Sequence, residues 1–401
     1  IRSARDMFEK PTPEPPVIID GVLRQGAKMI VTGDSKSGKT CLLTNLAICI
    51  AEGWEWLGHQ CKQGKVLYIN LEVMQSDFEA RYKSIYKAYE KPASDKGQDN
   101  FDFWNLRGKA VPMDKLAPKL IRRSEKKGYT AIIIDPIYKV ITGDENSAEQ
   151  MAHFCNQFDR VCTGAGCAVI YCHHHSKGSQ GGKRSMDRAS GSGVFARDPD
   201  ALLDMIELPV SEQLRKTEED KAVCAVCKDW LRRFLTDYDS EVSQDDEQSR
   251  ARMMEHCSNH LKRNSIDLMQ KDIAEAIRRV QMRSAWRIDG TLREFPKFPA
   301  VNVWFDYPIH RSDTLGTLKD IDPDETWQKN FPKRKTNEDR KQERKGSIET
   351  AFSAVADDGR ATVGDLANYL GVTEKTVRNR LKEHGGFWVD ESECGLKQQS
   401  S

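Results

Sequence analysis

The chain has 401 residues, a formal net charge of +1 and 38% hydrophobic residues. That length admits two or three domains with a substantial core, and the near-zero charge excludes a global field for nucleic acid, which leaves local basic patches to do any such binding. No apolar run approaches the roughly 18 residues of a membrane span, no charged-then-apolar leader opens the chain, and the eleven cysteines are scattered, so a reduced cytoplasmic protein without membrane contact is expected.

Residues 1–16 are polar and carry Pro11, Pro13, Pro15 and Pro16, which reads as an extended N-terminal arm. Val17 to Leu23 resembles a short strand and turn that opens a core expected over 17–309. The apolar run Met29-Ile30-Val31 then leads into Gly33-Asp34-Ser35-Lys36-Ser37-Gly38-Lys39-Thr40, and Cys41 to Ala47 continues as a helix. This is the G-x-x-x-x-G-K-T phosphate loop in its strand-to-helix context. Gly33 and Gly38 let successive backbone N–H groups turn inward around phosphate, Lys39 is placed to reach the β- and γ-phosphate oxygens, and the Thr40 hydroxyl is placed to ligate magnesium. ATP and Mg2+ are therefore the expected ligands, with residues 33–41 as the nucleotide-binding stretch.

Strand and helix patterns alternate from here, which implies an α/β fold with a mainly parallel sheet covered on both faces. Lys65 to Leu71 is the next strand, and Glu72 at its carboxyl end is the candidate general base for a water aimed at the γ-phosphate. Helix-compatible sequence covers Ser76 to Tyr89, Phe101 to Leu106 suits an edge strand, and Leu116 to Lys127 is an amphipathic helix. The β-branched run Ala131 to Ile134 delivers Asp135 to the sheet edge as the second magnesium contact, made through a water.

Cys167 to Cys172 forms a further strand that ends in His173-His174-His175. Consecutive residues point in different directions, which argues against a metal site. His174 is read as the group within reach of the γ-phosphate, with the assignment open by one position, and the other two as packing or solvent residues. The glycine-rich segment that follows carries Lys177, Lys183, Arg184 and Arg188 and suits a loop that grips phosphates of single-stranded nucleic acid. Arg197, after Gly191-Ser192-Gly193, is the candidate arginine finger toward a neighbouring subunit.

These residues together resemble the RecA-like hexameric ATPases, in particular the RepA-type replicative helicases of mobile plasmids. The resemblance covers roughly residues 17–205 and a closing hairpin. It implies a RecA-like P-loop core in a homo-oligomeric ring, a hexamer, with ATP between neighbours. Lys39, Thr40, Glu72 and Asp135 would come from one subunit and Arg197 from the next. His174 would sense the γ-phosphate, and residues 177–188 would hold single-stranded DNA in a central channel. The phosphate loop departs from the family in being polar, with Asp34 and Lys36 where glycine and alanine are common.

Ala201 to Leu208 is another strand, residues 210–283 turn charged and helical as an insertion, and Ser284–Arg287 with Val301–Tyr307 completes the sheet as a hairpin. Within the insertion, Cys224, Cys227, Cys257 and His260 have zinc-like spacing, but Ala222 to Phe234 also reads as one helix with the cysteines as small buried residues. Residues 310–345 form a charged linker, and 346–401 a small helix-turn-helix domain with Phe387-Trp388-Val389 opening a wing. Lys375, Thr376, Arg378, Asn379 and Arg380 would face the major groove of duplex DNA. Two functions follow: a ring-forming DNA helicase or translocase for a plasmid, phage or other mobile element, or an ATP-switched DNA-binding initiator that does not unwind. A recombinase-like filament would share the same core.

Overall fold

A computed structural model describes residues 1–175, 194–323, 337–390 and 392–397. The chain divides into two compact units, Ile1–Glu325 and Thr326–Ser401. The larger is built on a nine-stranded sheet: β1 (Lys28–Gly33), β2 (Val66–Asn70), β3 (Phe101–Asn105), β4 (Ala131–Asp135), β5 (Ala168–His174), β6 (Ala201–Leu208), β7 (Ser284–Leu292), β8 (Val301–Asp306) and β9 (Ile309–Ser312). Their spatial order is β9-β8-β7-β6-β1-β5-β4-β2-β3. The six strands from β6 to β3 run parallel, and β7, β8 and β9 add antiparallel to β6.

Strands β1, β2 and β4 are buried at every position because both faces of the sheet are covered. Met29, Val31, Tyr68 and Ile133 point into one core with Leu42, Leu43 and Leu46 of α1 (Lys39–Glu52). Ile30, Leu67, Ile69 and Ile132 point into the other. That second core holds Leu116 and Leu120 of α3 (Met113–Lys127) and Phe154 and Phe158 of α4 (Ala148–Ala165). Between β2 and β3 runs α2 (Gln75–Tyr89), whose Phe78 stacks on Phe103 of the edge strand with centroids 4.2 Å apart.

The N-terminal stretch differs from the extended arm expected of it. Ala4–Glu9 is a short helix, because Ser3 and Asp6 cap one another reciprocally: the Ser3 side chain accepts from the Asp6 backbone, and the Asp6 carboxylate accepts from the Ser3 backbone. It buries no residue.

The stretch between β6 and β7 is helical, with α5 (Glu212–Phe234), α6 (Arg250–His260) and α7 (Arg263–Met282) around their own core. Cys224, Cys227 and Cys257 are buried in it beside Trp230, Leu231, Met253 and Met269. Cys227 Sγ lies 3.6 Å from Met254 Sδ, and His260 faces Glu241 at 4.0 Å. Among the described residues no group of three or more His, Cys, Asp or Glu side chains is placed to hold a metal. Among them, too, no helix is long and apolar enough to cross a membrane.

The smaller unit contains α8 (Asn337–Val355), α9 (Val363–Leu370) and α10 (Glu374–His384), with β10 (Arg360–Thr362), β11 (Phe387–Val389) and β12 (Glu393–Leu396) in an antiparallel sheet of order β10-β12-β11. Gly371 closes α9 at φ 62°, and the Thr373 side chain caps α10 by accepting from the Thr376 backbone. Ile348, Leu366, Val377, Leu381 and Phe387 share the core.

Candidate functional site

The loop after β1 is closely packed around two glycines, where any side chain would have to displace its neighbours. A Cβ on Gly33 would stand 2.9 Å from Ser37 Oγ and 3.2 Å from Met205 Cβ. Gly38, at φ 81° and the N-cap of α1, would bring a Cβ within 3.1 Å of Phe305 and 3.2 Å of His310. Ser35 and Lys36 are exposed at the tip, Lys36 with φ 65°, while Ser37 is buried and its N–H donates to the Asp34 carbonyl at 3.2 Å.

Lys39 is 6% exposed. Its ammonium donates to the Gly33 carbonyl at 2.8 Å, to the Asp34 carbonyl at 2.6 Å and to Ser37 Oγ at 3.3 Å. Burial lowers its pKa, and the acidic neighbours Asp135, Asp34 and Glu72 oppose that shift. Thr40 is partly buried in the first turn of α1, and Cys41 is buried with its thiol pushed up to about 11 by desolvation.

Asp135 ends β4 and is 2% exposed. Each of its oxygens is held: Tyr68 OH donates to Oδ2 at 2.7 Å, and the Cys172 thiol donates to Oδ1 at 2.9 Å. Glu72 is exposed just beyond β2, on a turn organised by Asn70. Asn70 Oδ1 accepts from the backbone of Glu72 and Val73 at 3.4 and 3.0 Å, and its Nδ2 donates to the Val73 carbonyl and to Asn105 Oδ1 at 2.6 and 2.9 Å. An open cleft of about 490 Å³ beside Glu72 is lined by Leu71, Arg107, Gly108, Ala110 and Lys139.

Strand β5 lies between β1 and β4, so the histidines arrive between the phosphate loop and Asp135. His173 is buried with Nε2 3.8 Å from Glu145. His174 is paired in register with Gly33 and packs its ring 5.7 Å from Tyr138. Its buried Nδ1 has no hydrogen-bond partner among the described residues, and burial, then Lys39, lowers its pKa. His175 differs from the packing or solvent role expected of it. Its Nε2 lies 2.6 Å from Asp204 Oδ1 on β6, and its Nδ1 lies 3.2 Å from Asp34 Oδ1 in the phosphate loop.

Residues 2–180 match the family model described as AAA domain. That segment contains the phosphate loop, Glu72, Asp135 and all three histidines, and the match supports an ATPase. No curated protein matches the chain. A solved structure described as an ATPase domain aligns at 12% identity with a TM-score of 0.42, over 76% of this chain and 94% of that one.

Within residues 2–180 the side chains fit a magnesium-bound polyphosphate. Two glycines leave room that a Cβ would fill, an ammonium stands inside the loop, and the Asp135 carboxylate is held rigid by two neutral donors. Sequence patterns did not single out Tyr68, Asn70 or Cys172, because each lies in a strand run that is mostly apolar. Their only signal was a polar or thiol group in a run otherwise buried on both faces.

Beyond residue 180, Arg197 sits at the opposite rim of the sheet from this chain's own phosphate loop. It precedes β6, whose Ala201 pairs with Met29 at the start of β1, and its carbonyl accepts from Arg293 at 2.8 Å. Lys177, Lys183, Arg184 and Arg188 lie outside the described residues. On α10, Lys375 and Asn379 are exposed, Thr376, Arg378 and Arg380 are partly buried, and Arg378 pairs with Glu374 at 2.9 Å.

Proposed function

We propose that this chain is an ATP-hydrolysing, ring-forming DNA helicase or translocase of the RepA type, serving replication of a mobile element. The observation that carries it is the convergence of Lys39 at the start of α1, Asp135 at the end of β4 and the histidines at the end of β5 onto one sheet edge, with the basic segment 177–188 next in the sequence after the histidines. The fit of the loop and of Asp135 to a magnesium nucleotide, and the AAA domain match, support the ATPase part.

In this mechanism Lys39 neutralises charge on the transferred phosphoryl group, and the loop N–H groups with the α1 N-terminus orient the phosphates. Thr40 and Asp135 would hold magnesium, which supplies charge neutralisation between the β- and γ-phosphates. Glu72, exposed on its Asn70-braced turn, accepts the proton of the attacking water. Arg197, on the far rim, serves a neighbouring subunit's nucleotide because it is too distant for its own. Single-stranded DNA would run through the ring against residues 177–188. The smaller unit would act as a winged helix-turn-helix, with Lys375 and Asn379 on its exposed face meeting duplex DNA.

That exposed helix favours one second reading, an ATP-switched initiator without unwinding. Strand displacement on a forked substrate separates the two, using the wild type and a Lys183→Ala/Arg184→Ala double variant. The helicase reading expects displacement by the wild type and loss in the variant. DNA-stimulated ATP hydrolysis with no displacement by the wild type would overturn it in favour of the switch.

A further inference from the structure

Asp34 puts a negative charge into a loop whose glycines, ammonium and helix N-terminus otherwise suit a polyanion. Its side chain is 49% exposed. Left uncompensated, that carboxylate would oppose an incoming phosphate at short range. His175 supplies the compensation through contacts of 3.2 Å to Asp34 and 2.6 Å to Asp204. The side chains of His175 and Asp204 are 1% and 0% exposed. Asp204 also accepts from Thr32 Oγ1 on β1 at 2.8 Å, and the His175 N–H donates to the Gly33 carbonyl at 3.3 Å. A ring with a carboxylate oxygen at each nitrogen satisfies both contacts as a donor only in the doubly protonated, imidazolium form.

We propose that His175 is a positioning residue for nucleotide binding: anchored by Asp204, its imidazolium draws the Asp34 carboxylate aside and cancels its charge, so that the phosphate loop accepts a triphosphate. The proposal rests on the ATP-binding reading above. It also gives a reason for the loop's departure from glycine and alanine: the carboxylate and the histidine form one unit, and either alone would leave an unpaired charge beside the phosphates or in the core.

The charge balance around the pair has a definite sign. Burial acts against the charged ring, but the bonds to Asp204 and Asp34 outweigh it, and the pKa of His175 is raised. Asp34 is lowered, first by its bond to His175, with Lys39 of α1 and His174 of β5 adding to the effect. Glu207 of β6 also faces Asp34, and burial followed by that neighbour raises its carboxyl. As pH climbs through the raised His175 value the ring loses its proton while Asp34 stays ionised. ATP binding then weakens, and below that value it is at full strength.

The test is titration of the full chain with a fluorescent ATP analogue from about pH 6 to about pH 9, with melting temperature recorded for each variant. Wild-type affinity should fall as pH rises. His175→Gln should raise Kd by roughly ten- to thirtyfold near neutral pH and flatten the profile. Adding Asp34→Asn to it should restore most of the loss, which a merely structural role for His175 would not allow. Wild-type affinity in His175→Gln, or a loss that Asp34→Asn leaves in place, overturns the proposal. If His175→Gln does not fold because Asp204 has lost its partner, Asp34→Asn alone decides. Its profile should lose the wild-type pH dependence, and retention of that dependence overturns the proposal. A wild-type chain that binds no nucleotide at any pH removes the ATP-binding reading and this proposal with it, a result distinct from a wild type that binds and a variant that binds equally.

Discussion

Gly38 shows how one residue sets a site. Its φ of 81° disfavours any side chain, and the aromatic pair packed against it, Phe305 and His310 with centroids 4.4 Å apart, would have to give way to a methyl group. Gly38→Ala should therefore destabilise the chain by about 1–2 kcal/mol from the backbone alone, and more if the aromatic pair is displaced. Chemical denaturation of the two proteins measures this, and equal midpoints would show that the loop relaxes freely. Glu72 makes the complementary case of a residue whose effect should appear in chemistry rather than folding. It is exposed, and its turn is held by Asn70 instead of by its own carboxylate. Glu72→Gln should keep ATP bound while slowing hydrolysis by at least about 100-fold. Weakened ATP binding in that variant would contradict its assignment as base.

At the scale of elements, strand order decides what the loop ends can do together. Strand β5 separates β1 from β4, and Asp135 and Cys172 reach one another only because their strands are neighbours. The helices between β6 and β7 make the opposite point about cysteine spacing. Cys224 and Cys227 lie one turn apart on α5 and pack with Cys257 of α6 into a core that includes Met253 and Met269, which fills their surroundings with apolar groups. A zinc chelator should leave the melting temperature of the purified chain unchanged. A fall that added zinc reverses would show that these thiols hold metal.

The position of Arg197 belongs to the scale of the assembly. Because the arginine and the phosphate loop occupy opposite rims of one sheet, a finger role requires a second copy of the chain. Arg197→Ala should leave ATP binding intact and reduce turnover about 1,000-fold or more. Mixing it with Lys39→Ala subunits should recover activity, since some interfaces then hold one intact Lys39 and one intact Arg197. No recovery at any mixing ratio, measured as ATP hydrolysis, would exclude action between subunits. Light scattering with ATP and single-stranded DNA present should give a ring, and a strictly monomeric chain would contradict the proposed function.

The strand-to-helix phosphate loop, the acid at the end of each of two apolar runs, the edge strand at Phe101, the helical stretch after β6 and the closing hairpin were all legible in residue order. Each depends on local periodicity or on glycine at a fixed spacing, and such signals survive without neighbours. The chain by itself also marked three histidines, but assigning them required the fold. Which partner an imidazole meets is set by residues 141 and 29 positions away in sequence, Asp34 in the phosphate loop and Asp204 on β6. The tertiary structure alone decided that Tyr68 and Cys172 hold Asp135, that Asn70 braces Glu72 and that Arg197 faces away from its own loop. Those relations come from the order and direction of strands in the sheet, which local sequence does not encode.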